Sequence, residues 1–214
     1  MAREDRPVLR LLLARHGKTD WNAAGRYQGQ ADPPLNQSGR RQAGFLAARV
    51  AGRQIDAFYC SDLQRAQETA TIVGKALRKK PVPDPRLREI GFGILEGLTF
   101  AEANARYAKI IVEWLDGDRA VLPGGESREA FSQRLLSLLE ELKEKHNGQR
   151  LFLVTHGGAI RELLRLALGL PPQGHWSFTV ENGSLSELEL YGDRPLLRTL
   201  NDTSHLGDGQ GNRK

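Results

Sequence analysis

Two short and nearly unbroken apolar runs, Val8–Ala14 and Leu151–Thr155, constrain this chain more than any other feature. Runs of that length and uniformity suit strands buried on both faces, the habit of parallel sheets. The segments around them supply the covering helices. Ser38–Gly52 carries Ala43, Leu46, Ala47 and Val50 at helical spacing, with Gly52 as a stop. Asp56–Cys60 reads as a further strand, and Ser61-Asp-Leu-Gln64 as a capping box opening a helix through Ala66, Ala70, Val73 and Leu77. Pro81, Pro83 and Pro85 break the pattern, and Gly91, Gly93 and Gly97 make the next stretch a loop. Helices are expected over 99–115, with Trp114 on the apolar side, and from Glu126 or Ser127 to about His146, with Phe131, Leu135, Leu138 and Leu142 on one stripe. Another follows Gly157–Gly158 as far as Gly169, and Leu185–Tyr191 alternates like a half-exposed strand. Strands and helices alternate without repeats or long linkers, which predicts one three-layer α/β/α domain over residues 1–206 with a mostly parallel central sheet. The polar, glycine-rich stretch 207–214 is expected to be frayed or disordered.

Composition excludes several classes. No apolar run approaches the roughly 20 residues of a membrane helix, and the mixed charge of Met1–Pro7 does not suit a signal peptide. Cys60 is the only cysteine, so no disulfide framework or thiolate cluster exists, and a reducing cytoplasm fits. The net charge of +5 is scattered over groups such as Arg40–Arg41, Arg78-Lys79-Lys80, Lys143 and Lys145. There is no basic stripe interleaved with aromatics, so a nucleic-acid partner is not expected. A pocket for a small anion explains part of the surplus more economically.

Three segments share one layout, an apolar strand followed by a short polar turn. They end in Arg15-His16-Gly17, in Ser61 with Arg65 four residues on, and in His156-Gly157-Gly158. Parallel strands present their carboxyl ends at one edge, where ligands bind. Two histidines and two arginines distant in sequence are thereby expected to converge. Arginine forks match phosphate oxygens, and glycine lets backbone N–H groups approach a ligand. Neighbouring cations keep an imidazole neutral near pH 7, and a neutral histidine beside a bound phosphate is placed for in-line attack. The leaving oxygen then needs an acid; Glu89, before the Gly91–Gly93 loop, is the candidate, one acid among 26.

Leu13-Ala-Arg15-His16-Gly17-Lys-Thr19-Asp-Trp-Asn22 resembles the signature of the histidine phosphatase superfamily, in its phosphoglycerate mutase-like branch. So do Gly25-Arg-Tyr-Gln28-Gly29, Tyr59-Cys-Ser61-Asp62-Leu-Gln-Arg65-Ala66, Leu87-Arg-Glu89-Ile-Gly91, Gly124-Gly-Glu126-Ser127 and Thr155-His156-Gly157, in family order from residue 11 to about 160. Asn201-Asp-Thr-Ser-His205 resembles a C-terminal segment of some members. The resemblance implies a phosphoglycerate mutase-like fold and a metal-independent phosphatase without cofactor, acting on a small phosphorylated metabolite. It implies that His16 becomes the phosphohistidine, that Arg15, Arg65 and His156 bind the phosphoryl oxygens, and that Glu89 is acid and then base. Asn22 and the Gln28–Gly29 turn would complete the substrate pocket with Gly157. A homodimer is an expectation of the same resemblance alone. Lys18 stands where Glu or Gln is usual, and Cys60 where Ser is common.

The bland readings differ by residue. His146 and His175 read as structural, Ser61 as a helix cap, and Cys60 as an inert buried thiol. Arg65 as a surface arginine and Glu89 as a salt-bridge partner of Arg86 or Arg88 are the plain alternatives to their site roles. Arginines beside His16, Glu89 and His156 would repel a dication, and no Gly-x-Ser-x-Gly elbow is present. His205 is either incidental or part of a lid, with Asn201–Leu206 expected to be ordered. Two functions compete with hydrolysis: phosphoglycerate mutase-type transfer, which the resemblance disfavours because mutases of the family tend to carry a longer insertion than the span of about 35 residues between Glu89 and Gly124, and phospho-ligand binding without turnover. Phe92, Trp114, Arg161 and His205 are the candidates for the substrate wall.

Overall fold

The computed structural model describes residues 9–116, 121–192 and 194–207. Six strands form one sheet in the order β3-β2-β4-β1-β5-β6: β1 Leu9–Arg15, β2 Ala57–Cys60, β3 Val82–Pro83, β4 Gln149–Thr155, β5 Leu185–Tyr191 and β6 Arg194–Asp202. The first four are mutually parallel, whereas β5 runs antiparallel to β1 and to β6. Val8 and residues 208–214 lie outside the described residues, so the expectations placed on them are not addressed.

The period of two explains why the central runs are apolar throughout. Leu9, Leu11 and Leu13 share one core with Leu151 and Leu153, covered by α5 (Arg128–Lys145) and α6 (Gly157–Ala167). Leu12 and Ala14 join Phe152 and Val154 on the other face, covered by α2 (Gln37–Val50) and α3 (Gln64–Leu77). Leu9, Leu11–Ala14 and Leu151–Val154 therefore each meet a helix layer, where a polar side chain would be costly, and Arg10, half-buried within β1, is paired with Glu189. A third cluster of Leu95, Ala103, Ile111, Trp114 and Leu122 forms around α4 (Phe100–Asp116), whose backbone leaves helical geometry at Tyr107. A short α1 (Asp20–Ala23) follows the first strand. None of the described helices is long and apolar enough to cross a membrane.

Three expectations change. β5 is not half-exposed, because β6 covers its outer edge; its carboxylates are matched instead, Glu187 with Arg53 and Glu189 with Arg10 and Arg198. β6 itself gave no sequence signal, since an edge strand held by backbone bonds to one neighbour needs no apolar face. The capping box at Ser61 does not form: α3 begins at Gln64, Leu63 is its N-cap, and no side chain caps it.

Candidate active site

Register places the cluster. Arg15 pairs with Thr155 and Cys60 with Val154, so His16, His156 and Ser61 emerge together at the carboxyl edge. Backbone bonds carry the ladder one residue further: His16 N–H donates to Thr155 O at 2.9 Å and Ser61 N–H to Val154 O at 2.9 Å. The two imidazoles, both buried, meet edge to face with centroids 5.0 Å apart.

Arg65, in the first turn of α3, is fully buried and not a surface arginine. Its Nη1 donates to Ala31 O and its Nη2 to Gly29 O, each at 2.7 Å, and its Nε to His16 Nε2 at 3.3 Å. His16 Nδ1 lies 2.7 Å from Gly17 O, which only accepts, so the ring proton sits on Nδ1 and the lone pair on Nε2. Burial, then the charges of Arg65 and Arg15, hold His16 well below the ordinary histidine range. Burial and Arg65 do the same to His156. Both rings are neutral at pH 7.

His156 Nε2 pairs with the Ser61 hydroxyl at 2.8 Å, and Ser61 Oγ also accepts from Leu63 N–H at 3.3 Å. The serine expected as a cap therefore orients a histidine. Arg15 Nη1 donates to Val180 O at 2.8 Å. Among the described residues, Arg15 Nε and His156 Nδ1 are buried without a partner. Buried polar atoms left so in one cluster call for a polar ligand. Cys60 is buried, its thiol pushed up to about 12 by that burial, and it is inert.

Glu89 follows the turn Pro85–Leu87, and its carboxylate accepts from Gly158 N–H at 2.8 Å and Ile90 N–H at 3.0 Å. A Cβ on Gly158 would run into Glu89 Oε1, so any side chain there would push the carboxylate out of this position. Glu89 is not paired with Arg86 or Arg88, which bind Asp84 and Glu141, and Asp62. Its backbone is clamped by Arg134, which donates to the carbonyls of Arg86 (2.6 Å), Arg88 (2.9 Å) and Glu89 (3.0 Å) while holding Glu126 bidentately at 2.7 and 2.9 Å.

The remaining candidates brace the cluster. Asn22 closes a capping box with Thr19, and Gln28 Oε1 accepts from Thr19 Oγ1 at 2.9 Å. Gly29 has φ +52°, and a Cβ there would lie 2.1 Å from Glu96 Oε1; its carbonyl anchors Arg65. Gly157 opens α6 beside His156, within contact of the Arg15 guanidinium. Asn182 escaped the sequence reading: its Nδ2 donates to His16 O and to Asn22 Oδ1, each at 3.1 Å, tying two distant segments together. Neither it nor Arg134 sits in a pattern that distinguishes it from an ordinary polar residue.

A neutral histidine whose Nε2 lone pair faces the buried Arg65, with the half-buried Arg15 and a second neutral histidine beside it, is suited to a phosphoryl group. Residues 11–203 match the family model of the histidine phosphatase superfamily (branch 1). The chain belongs to that superfamily. It is 32% identical over 202 residues to phosphoserine phosphatase 1 of Hydrogenobacter thermophilus, covering 94% of this chain and 96% of the relative. It is 36% identical over 208 residues to a probable phosphoglycerate mutase GpmB of Yersinia enterocolitica, covering 93% and 95%. Among solved structures, a putative alpha-ribazole-5'-P phosphatase from Escherichia coli superposes with a TM-score of 0.84 at 32% identity, covering 91% of this chain and 97% of that one. The family expectation drawn from six ordered motifs is met.

Beside Glu89 this histidine phosphatase has a cavity of about 680 Å³. Phe92, Trp114 and Arg161 line it, and Arg161 Nε donates to Phe178 O at 2.9 Å. His205 does not line it. The segment Ser204–Leu206 is ordered but packs against α2, and His205 Nε2 donates to Gly183 O at 2.9 Å, behind Asn182. His146 pairs with Tyr59 and Gln149, and His175, which lines the cavity, pairs with Glu162.

Proposed function

We propose that this chain hydrolyses small phosphomonoesters through a phosphohistidine on His16, without metal or cofactor. The observation that carries the reading is the His16 ring itself: Nδ1 is committed to Gly17 O, and Nε2 is neutral and within hydrogen-bond distance of the Arg65 guanidinium. In the first step Nε2 attacks phosphorus, the ester P–O bond breaks, and Glu89 gives its proton to the departing alcohol oxygen. In the second, Glu89 takes a proton from water, whose oxygen attacks phosphorus and breaks the P–N bond, releasing inorganic phosphate. Arg15, Arg65 and His156 neutralise the phosphoryl oxygens, which is most of what such a transition state requires. Asn22, Gln28, Gly29 and Gly157 hold those groups and complete the pocket. The names of the relatives, phosphatases for phosphoserine and α-ribazole phosphate among them, support a small phosphorylated substrate. The single cysteine, Cys60, fits a reducing compartment such as the cytoplasm.

The test is chemical trapping. Enzyme mixed with a radiolabelled phosphate ester and quenched in alkali should carry label that acid removes, as a phosphoramidate does. Turnover should be insensitive to a chelator, and His16→Ala should lose both label and turnover. Hydrolysis unchanged in His16→Ala would refute the mechanism; saturable binding without phosphate release that survives it would favour a binder. The relative named as a probable mutase supports a second reading, phosphoryl transfer back to an acceptor. That reading requires phosphate exchange between substrates with little net release.

A further inference from the structure

The cavity beside Glu89 holds two buried donors that nothing among the described residues uses. Trp114, on α4, is 5% exposed, and its indole Nε1–H has no acceptor. The guanidinium of Arg128, first residue of α5, lies over the same ring with Cζ 4.8 Å from its centroid, and its buried Nη2 is also unpartnered. Both side chains line the cavity. Buried donors are costly to leave unpaired, so a cation stacked on the face of an indole whose N–H is also unpaired, both side chains in one cavity wall, marks the seat of an acceptor brought from outside.

What lies around them defines the rest of that ligand. Phe92 stands edge to face with Trp114 (5.8 Å) and with Tyr27 (5.2 Å), making a continuous aromatic wall that begins three residues after Glu89. Ile111 and Phe131 extend the apolar lining, and the exposed side chains of Phe100 and Trp176 rim it. The other charges are accounted for. Glu162 is matched by Arg165, His175 and the Ser132 hydroxyl. Arg161 lies at the Glu89 end, where both Glu89 and Arg15 feel its charge. Among the described residues, Glu129 beside Arg128 is exposed and has no ion-pair partner. A volume of about 680 Å³ is far more than a three-carbon alcohol fills.

We propose that the site takes phosphate esters of flat, apolar alcohols ending in a carboxylate, which Arg128 and Trp114 hold beyond the aromatic wall. The inference rests on the phosphatase reading of His16 and Glu89 and specifies the alcohol half of the substrate. A carboxylate accepting from both groups is a charge-assisted contact remote from the reacting atoms, so its benefit falls on KM and not on kcat.

The test compares phenyl phosphate, 2-naphthyl phosphate, its 6-carboxy derivative and the corresponding carboxamide in the wild type, Trp114→Phe and Arg128→Met. The carboxylate should lower KM by about 10- to 100-fold relative to the plain naphthyl ester, with the carboxamide between them. In each variant that ratio should collapse toward one, the phenylalanine keeping the aromatic wall and the methionine the stem. A ratio near one in the wild type, or a ratio that both variants preserve, would overturn the proposal. Failure to hydrolyse any of the four, phenyl phosphate included, would overturn the phosphatase reading beneath it.

Discussion

Replacing Arg134 by Met tests whether Glu89 acts through its position. Arg134 makes five hydrogen bonds, two to the Glu126 carboxylate and three to the carbonyls of residues 86, 88 and 89. The side chains of the pair are only 18% and 17% exposed, so removing Arg134 leaves a largely buried carboxylate without its cation, held only by Gly91 N–H and Gln30, and three carbonyls without that donor. Breaking such a pair costs about 3–5 kcal/mol. In a chain of this size each kcal/mol lowers Tm by roughly 2–4 °C, so a drop of about 6–20 °C is expected. Methionine keeps the contact of the stem with Phe131, over whose ring the guanidinium now lies. The catalytic consequence is separate. Freed of its clamp, the loop bearing Glu89 shifts, and a displacement of about 1 Å at an acid costs on the order of 100-fold in rate. Measured as kcat/KM, which reports formation of the phosphohistidine and not its Glu89-assisted hydrolysis, that loss should be large with an alkyl phosphate, whose alkoxide needs a proton, and much smaller with 4-nitrophenyl phosphate, whose leaving group departs as a stable anion. Steady-state kinetics on both esters, beside a thermal melt, separate the two effects. Equal losses of kcat/KM on both esters, or an unchanged kcat/KM in a protein that has lost stability, would refute the positioning argument.

Other outcomes follow from the same geometry. Gly158→Ala drives a methyl group onto Glu89 Oε1 and should lower kcat about 10- to 100-fold while circular dichroism shows the fold retained. Ser61→Ala leaves His156 Nε2 buried without its partner; a stability loss of about 1–3 kcal/mol in urea denaturation is expected, with weaker inhibition by inorganic phosphate. His16 and His156 both have pKa values depressed by burial, so the unfolded chain takes up protons that the folded one refuses. Their contribution to stability is full above about pH 6.5 and is lost as pH falls below it, by about 1 kcal/mol per histidine between pH 6.5 and 5.5. Denaturant midpoints measured across that range should show the slope, and His16→Gln should reduce it by about half. A slope unaffected by that substitution would mean His16 is charged in the folded protein.

The reaction centre was legible because its chemistry is tied to strand ends. His16 and His156 each close an unbroken apolar run, and the topology of parallel strands brings such ends to one edge whatever the intervening sequence. Arg65 was legible by its place one turn after a third strand. What holds these groups was not. Ser61 sits in a perfectly good capping pattern, yet its hydroxyl turns to His156, because the strand-end ladder to Val154 places it under that ring. Asn182 and Arg134 are polar residues whose local sequence carries no periodic or motif signal, and their importance lies in joining segments up to 166 residues apart.

By itself, then, the sequence determined the α/β alternation, the two buried central strands and the identity of the phosphoryl-handling groups, since burial on both faces and anion chemistry leave few alternatives in residue type. Only the tertiary structure decided the tautomer of His16, the clamp on Glu89, the retreat of His205 behind Asn182, and the cavity whose unpaired donors are Trp114 and Arg128. Each of those depends on where a carbonyl or side chain from a remote segment arrives, and no local pattern encodes that.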